Sequence, residues 1–190
     1  MLQIRHGVFE TNSSSSHSIA IRKESGHYTK EEIIKSVYCV WDNRLRLWDH
    51  DLEFGRAPFK PCADFYSKWK YALAAVGNND EQRAELEDLM REYFPNLTIE
   101  YPRERNWRTE EYETFYGSID HQSIGVLQSC LATKQISLRE FITNKKYVVF
   151  VDGDEYCVTE KLFNSGLLKL EDFEDPGVDV EDLSFIETID

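Results

Sequence analysis

The pattern of apolar and polar residues near the N-terminus predicts a first β-hairpin. Residues 2–11 are strand-like, and in residues 17–23 (HSIAIRK) Ile19 and Ile21 alternate with polar or small residues. A period of two places such side chains on one face of a half-buried strand. The polar run between the two segments, residues 12–16 (NSSSS), is therefore predicted to be the hairpin loop.

A second hairpin is predicted farther along the chain. Residues 37–41 (VYCVW) are mostly β-branched and aromatic, and residues 44–48 (RLRLW) alternate polar with apolar side chains. Asp42 and Asn43 lie between the two segments, and this dipeptide favours a tight turn because both residues tolerate unusual backbone angles.

Apolar residues spaced three and four apart predict two helices in the middle of the chain. The stripe of the first helix consists of Phe65, Trp69, Ala72 and Val76. The second helix is predicted to begin at Asp80 as its N-cap, and its stripe consists of Leu86, Leu89, Met90 and Phe94. Only the short segment GNND separates the two, so they are expected to form a helical hairpin.

The remaining segments complete an α+β outline. Thr29 is a predicted N-cap of a short helix, residues 146–152 (KYVVFVD) read as a buried strand, and residues 102–113 read as a charged connector. A further short helix is expected near residues 160–168.

The sequence thus predicts N-terminal β-hairpins, a central helical hairpin, later strands and an acidic C-terminal tail. The expected organisation is one α+β domain over residues 1–168 and a tail over residues 169–190 that packs on the domain or extends from it.

Charge is distributed unevenly along the chain. The net charge is −13, and residues 151–190 hold 13 acidic residues against two lysines, a net of −11. Direct DNA binding through this tail is disfavoured, because phosphate contacts need Lys and Arg. An acidic surface instead suits basic clefts on other proteins. The simpler interpretation is a solvated tail that keeps the protein in solution.

Composition also bears on the compartment. No apolar run approaches the roughly 18 residues of a membrane-spanning helix, and the N-terminus lacks the apolar core of a signal peptide. A cytoplasmic protein without membrane contact is therefore expected. The long, irregular spacings of Cys39, Cys62, Cys130 and Cys157 predict buried or free thiols rather than a zinc site.

Three polar clusters are candidates for chemistry: residues 9–18 (FETNSSSSHS), residues 118–123 (SIDHQS), and residues 141–155 (FITNKKYVVFVDGDE), with Asn144 before the predicted strand and Asp152 and Asp154 at its end. Groups able to act as nucleophile, acid or base make catalytic candidates of Glu10, Ser14, His17, Asp120 and His121. Groups able to bind a divalent metal are His17, His121, Asp120 and Asp152. No HExxH, GxSxG or Walker pattern accompanies them.

A structural role competes with the catalytic one for these clusters. Ser and Asn side chains satisfy their own backbone in tight loops, and Asp120 can cap a following helix. In this interpretation the two histidines are simply hydrogen-bonded members of a polar scaffold.

The same motifs carry a resemblance. The pattern RxGxFETNSSSxHS near the start, IDHQS in the middle and a later FxxN segment are similar to those of small proteins encoded by phages and prophages of gut Firmicutes. The matching positions are Arg5, Gly7, residues 9–15, residues 17–18, residues 119–123 and residues 141–144. The resemblance implies a phage-encoded accessory role and assigns neither an activity nor a catalytic residue.

Charge and resemblance together favour a counter-defence function. Phages encode small acidic proteins that block host nucleases such as CRISPR effectors, whose nucleic-acid channels are basic. We expect an inhibitor that binds such a host enzyme, without a cofactor, through carboxylates that take the place of phosphates. The expected partner-binding residues are Glu171, Asp172, Glu174, Asp175, Asp179, Glu181 and Asp182. The alternative is a metal-dependent phosphoesterase or nuclease that uses the Ser/His/Asp clusters and a divalent ion.

Overall fold

The structure is a computed structural model that describes residues 15–55, 61–106, 108–120, 123–153 and 158–177. Within these ranges the helices are α1 (Lys30–Ser36), α2 (Asp49–Leu52), α3 (Phe65–Val76), α4 (Asp80–Tyr93), α5 (Val126–Lys134), α6 (Leu138–Thr143) and α7 (Val158–Asn164). The strands are β1 (Ser15–Arg22), β2 (Val40–Trp41), β3 (Arg44–Arg46), β4 (Glu53–Phe54), β5 (Thr98–Glu100), β6 (Arg103–Arg105), β7 (Tyr112–Thr114), β8 (Ser118–Ile119), β9 (Tyr147–Gly153) and β10 (Phe173–Asp175). Helices and small sheets alternate along the chain, so the fold is α+β as predicted.

The main sheet has β1 at its centre, between β9 on one side and β10 on the other. In the antiparallel pairing of β1 with β9, Ile19 lies opposite Val149 and Ala20 lies opposite Val148. Successive residues of a strand point to opposite faces. Ile19 and Val149 therefore face the main core, which includes α3, α4 and α6, while Ala20 and Val148 face a smaller cluster beside α7.

The strand partners of β1 correct part of the first-hairpin prediction. Ser15 and Ser16 belong to β1 rather than to a loop. Among the described residues, β1 pairs with β9 and β10, which both come from the last third of the chain. The rest of the predicted hairpin, residues 2–14, lies outside the described residues.

The second hairpin is confirmed, with shorter strands than predicted. Asp42 and Asn43 have φ angles of 49° and 56°, the positive values that a type I′ turn requires at both central residues. The turn sets β2 against β3, with Val40 opposite Leu45. β5 then joins the other side of β3 in parallel, with Leu45 opposite Ile99.

The predicted helical pair is also present, with one correction. All four residues of the first predicted stripe are buried on α3. The Trp69 indole Nε1 donates to the Leu86 carbonyl at 2.8 Å, which joins α3 to α4. The N-cap of α4 is Asn79, whose side chain accepts from the Gln82 amide, and not Asp80. Asp80 is the first helical residue, where its charge faces the positive end of the helix dipole.

Residues 102–113, predicted only as a charged connector, contain regular structure that the sequence analysis did not predict. They contribute to a small hairpin of β6 and β7, in which Arg103 lies opposite Thr114. The Asn106 side chain organises the turn by accepting from the Arg108 amide at 2.9 Å. Because both strands are exposed, they show no apolar alternation that sequence reasoning could detect.

The first part of the acidic tail lies on the main sheet. β10 pairs with β1 at Ile21 and Arg22, and Phe173 is buried against Phe150 and Phe163. The helix predicted near residues 160–168 is α7, which begins at Val158 and ends at Asn164. None of the helices in the described part of the chain is long and apolar enough to cross a membrane.

Candidate functional site

His17 lies on β1, on the face that packs against α3, and it is 7% exposed. Its Nδ1 is 3.3 Å from the Tyr71 hydroxyl, and its backbone N–H donates to Ser123 Oγ at 3.0 Å. The backbone carbonyl of Phe54 is also close enough to favour the protonated imidazole. Three other segments of the chain, at Phe54, Tyr71 and Ser123, therefore surround His17.

Burial decides the charge state of His17. It lowers the pKa of the imidazole to about 4, although Asp120, the Phe54 carbonyl and Asp152 each favour the protonated form. Burial also raises the pKa of Tyr71, so its hydroxyl keeps its proton and can donate to Nδ1. A neutral ring that accepts at Nδ1 donates from Nε2, which suits the Phe54 carbonyl. The imidazole is thus a neutral hydrogen-bonding group at pH 7.

The turn after β8 brings Asp120 into the same cluster. β8 pairs in parallel with β4, and beyond this pair the Asp120 amide donates to the Phe54 carbonyl at 3.0 Å. The Ser123 amide in turn donates to the Asp120 carbonyl at 2.8 Å. The hydrogen bond from the His17 backbone N–H to Ser123 Oγ connects β1 with the SIDHQS motif, and the Asp120–Phe54 bond connects the motif with β4. Three other catalytic candidates, Glu10, Ser14 and His121, lie outside the described residues.

Asp152 lies apart from His17, although both belong to the main sheet. The register places Ser16 opposite Asp152 and His17 opposite Val151. Side chains of adjacent positions point to opposite faces, so the Asp152 carboxylate lies on the α7 face and the imidazole on the α3 face. Asp152 Oδ1 accepts from the Thr159 amide at 2.9 Å, which satisfies a free donor at the start of α7.

The described metal candidates do not form a metal-binding group. Within the described ranges, no three His, Cys, Asp or Glu side chains are placed to hold an ion. His17 uses its ring for Tyr71 and Phe54, and Asp152 is on the other face of the sheet. The remaining metal candidate, His121, lies outside the described residues.

A pocket of about 360 Å³ opens beside this cluster. Tyr71, Ser118 and Ser123 contribute hydroxyl groups to its lining, and Ala74 and Ala75 of α3 form part of the apolar wall. His17 contacts Tyr71 and Ser123 from behind this lining. Tyr71, Ser118 and Ser123, rather than His17, therefore line the pocket.

The acidic tail contributes a second candidate site, which we call the acidic row. It consists of Glu171, Asp172, Glu174 and Asp175. Phe173 lies in the middle of the row and is buried, which fixes the surrounding residues on the sheet. Glu171, Asp172 and Glu174 are exposed, and Asp175 is half-buried. The other predicted partner-binding residues, Asp179, Glu181 and Asp182, lie outside the described residues.

Lysines of the same chain approach three members of the acidic row. The ion pairs are Glu171 with Lys169 at 3.7 Å, Glu174 with Lys146 at 2.9 Å, and Asp175 with Lys134 at 4.0 Å. All three lie at the surface, where such pairs contribute about 0–1 kcal/mol. The row is therefore partly neutralised, but only by weak interactions.

Sequence reasoning missed the buried Lys68. This side chain is 0% exposed, and its Nζ donates to the carbonyls of Phe141 at 3.1 Å and Asn144 at 2.6 Å. These carbonyls lie in the last turn of α6 and just beyond it, where a cation is favourable. Burial lowers the pKa of Lys68 to about 7. A sequence signal existed, because Lys68 lies three residues after Phe65 on the apolar side of α3.

Tyr71 was also missed as the partner of His17. Its position within an apolar helix indicates only a core residue, and the contact joins segments that are 54 residues apart. No local sequence pattern reports a contact of that separation.

The chain matches no protein-family model, no curated protein and no solved structure.

Proposed function

We propose that this protein is a phage-encoded counter-defence protein that inhibits a basic nucleic-acid-handling host enzyme, such as a CRISPR effector. It acts in the cytoplasm of the host cell and needs no cofactor. The observation that carries the proposal is the acidic row, which the pairing of β10 with β1 holds at the edge of the main sheet. Carboxylates held in this way can replace phosphates as partners for Arg side chains.

The spacing of the row supports imitation of nucleic acid. Its four carboxylates fall within five consecutive residues, in a 3₁₀ turn followed by a strand. At the rises of these structures, one carboxylate recurs roughly every 3–4 Å of chain. Phosphates recur about every 3.4 Å along the axis of one DNA strand. The density of negative charge along the chain is therefore similar, and Glu174 and Asp175, as consecutive residues of β10, present it to opposite sides of the strand.

The internal lysine pairs do not prevent such binding. The Glu174 carboxylate remains 51% exposed although Lys146 contacts it at 2.9 Å. An arginine of a partner can form two parallel hydrogen bonds with a carboxylate, which a lysine cannot. Exchange of a weak lysine pair for a bidentate arginine pair is therefore favourable inside a basic channel.

The test is inhibition of a candidate host nuclease by the wild type and by a charge variant. The variant carries Glu171→Gln, Asp172→Asn, Glu174→Gln and Asp175→Asn. We expect it to inhibit at least about tenfold less well at low salt, because it lacks the charges that pair with Arg. The difference should shrink at high salt, and inhibition by the wild type should be competitive with DNA or guide RNA.

A matched variant controls for net charge alone. Glu24→Gln, Glu31→Gln, Glu85→Gln and Glu111→Gln remove the same number of exposed carboxylates from other surfaces. This control should inhibit like the wild type. Equal inhibition by the wild type and the acidic-row variant at low salt would exclude the acidic row as the binding surface.

The second candidate function is the metal-dependent phosphoesterase or nuclease. Its support is that His17 and Asp120 belong to one cluster beside a pocket that Ser118 and Ser123 line. Under this proposal, His17→Ala or His121→Ala abolishes ion binding, and a chelator lowers the melting temperature. Titration calorimetry with Mn²⁺, Mg²⁺ and Zn²⁺ measures the binding, and the absence of heat with all three ions would contradict it.

A further inference from the structure

The small sheet of β2, β3 and β5 has an outward face of tryptophan and arginine. Leu45 of β3 points into the core and is 0% exposed, so its neighbours Arg44 and Arg46 point outward. Trp41 of β2 lies directly opposite Arg44. The Arg46 guanidinium lies 4.2 Å from the centre of the Trp48 ring. We call these four residues the Trp–Arg face.

The two indoles of this face are unusually accessible. Trp41 is 85% exposed and Trp48 is 46% exposed. Large exposed apolar groups on a protein surface commonly mark binding sites. The stacked Arg46 holds the Trp48 ring in a defined orientation, so at least one of the two platforms is ordered before any partner arrives.

We propose that the Trp–Arg face binds single-stranded nucleic acid. Bases stack on the indoles of Trp41 and Trp48, and Arg44 and Arg46 pair with the phosphates between them. Aromatic platforms next to cationic side chains are the usual means of binding single strands without sequence preference. From Arg44 to Trp48 the chain spans at most about 13 Å, which accommodates three or four nucleotides at about 3.4 Å each.

The charge of the surrounding chain permits this binding. Of the net charge of −13, residues 1–150 carry only −2, and the whole face lies within them. The acidic row belongs to a different sheet. The acids near the face are Asp42, Asp49, Asp51 and Glu100. Glu100 lies opposite Arg46 and 3.5 Å from Arg44, and Asp51 Oδ2 accepts from the Trp48 backbone N–H at 3.1 Å. A phosphate therefore competes with Glu100 for Arg44, and its binding should weaken steeply with salt.

The composition of the face favours nucleic acid over a protein partner. At these exposures the two indoles offer roughly 300 Å² of surface, whereas a stable protein interface buries about 800 Å² on each side. Of the other exposed apolar residues, Ile34 lies on α1, Ile124 and Leu167 lie in loops outside this sheet, and Tyr38 precedes β2. Stacked bases need no larger apolar surface than an indole provides.

The test uses the full chain and a fluorescein-labelled twelve-nucleotide oligothymidine, with fluorescence anisotropy at about 20 mM and about 200 mM salt. We expect saturable binding at low salt, accompanied by quenching of tryptophan fluorescence. Trp41→Ala should weaken binding about tenfold, since stacking of one base on an aromatic ring has an effect of that order. The double variant Arg44→Gln, Arg46→Gln should weaken binding and remove most of its salt dependence.

Two variants on other surfaces are matched controls. Tyr112→Ala removes an aromatic residue that is 60% exposed on β7, and Arg139→Gln removes a surface arginine on α6. Both should bind like the wild type, and circular dichroism should show all variants folded. The acidic-row variant should also retain binding, which separates this proposal from the inhibitor function.

Several outcomes would overturn the proposal. These are no anisotropy change with the wild type at low salt, an equal loss in Trp41→Ala and Tyr112→Ala, or equally tight binding of a duplex of the same length. Binding of a poly-glutamate peptide without binding of the oligonucleotide would identify the face as a protein-docking surface instead.

Discussion

The two sides of β1 are held very differently. β9 pairs with β1 along residues 15–21, and its side chains are buried on both faces of the sheet. β10 pairs with β1 only at Ile21 and Arg22 and has one buried side chain, Phe173. The first side therefore supports the stability of the whole fold. The second side holds the acidic row on the sheet but can open locally.

This difference separates the two candidate sites. His17 lies in the β9-paired part of β1, where displacement of the ring would disturb the main core. The acidic row lies on a short strand with few buried apolar contacts, and such strands open at a lower free energy than the global unfolding. A rigid polar cluster and an adaptable charged edge are thus both anchored to β1.

The largest expected loss of stability comes from a substitution in β9. Phe150 is 1% exposed and contacts the rings of Phe163 and Phe173. Phe150→Ala should lower the free energy of unfolding by about 3–5 kcal/mol, because it removes buried apolar surface and leaves a cavity. Urea denaturation measures the change. Leu167→Ala, at a side chain that is 75% exposed, should change it by less than about 0.5 kcal/mol. Similar losses in both variants would contradict the comparison.

The next largest effect is a dependence of stability on pH, which originates from His17 in the part of β1 that pairs with β9. The pKa of His17 falls from 6.5 to about 4 on folding. Between these values the unfolded chain binds a proton that the folded protein does not, so stability decreases as pH falls from 6.5 towards 4. The full loss is about 3 kcal/mol.

Urea denaturation of the wild type and His17→Gln at pH 7 and pH 4.5 isolates this contribution. Several carboxylates with lowered pKa values, including Glu92 and Glu140, also reduce stability in acid. They contribute to both proteins, so the difference between the two proteins reports His17. His50→Gln, on the exposed surface of α2, should lose as much stability between pH 7 and pH 4.5 as the wild type. An equal loss in His17→Gln would show that the imidazole is not buried in the folded protein.

The smallest loss of stability is expected from a substitution next to β10. Gly177 has a φ of 71°, and an added Cβ would lie 3.0 Å from the Ala20 backbone nitrogen. Gly177→Ala should detach β10 and lower stability by about 1–2 kcal/mol, the cost of a left-handed alanine. Hydrogen exchange should accelerate at Lys23, whose amide donates to the Asp172 carbonyl at 2.8 Å.

Gly166 is the matched control for this variant, because its φ of 72° is almost the same but nothing lies within 4 Å of an added Cβ. Gly166→Ala should show a similar backbone cost without faster exchange at Lys23. Equal exchange at Lys23 in the two variants would mean that contact with β1 does not hold the acidic row.

The sequence by itself determined the elements whose signals are local. Asp42 and Asn43 specified the turn of the second hairpin because they tolerate positive φ. Thr29 is the N-cap of α1, as predicted, and it also forms a capping box with Glu32, which lies only three residues away. The stripe on α3 was predictable because an amphipathic helix repeats its buried positions every three or four residues.

Tertiary structure alone decided how these elements combine into sites. The alternation in β1 predicted a strand but not its partners, since strand pairing depends on segments distant in the sequence. Asp152 was predicted to join His17, yet the register turned it to the opposite face and towards α7. Neighbours within about four residues set turns, caps and helical stripes, whereas a one-residue difference in register between distant strands decides which polar groups meet.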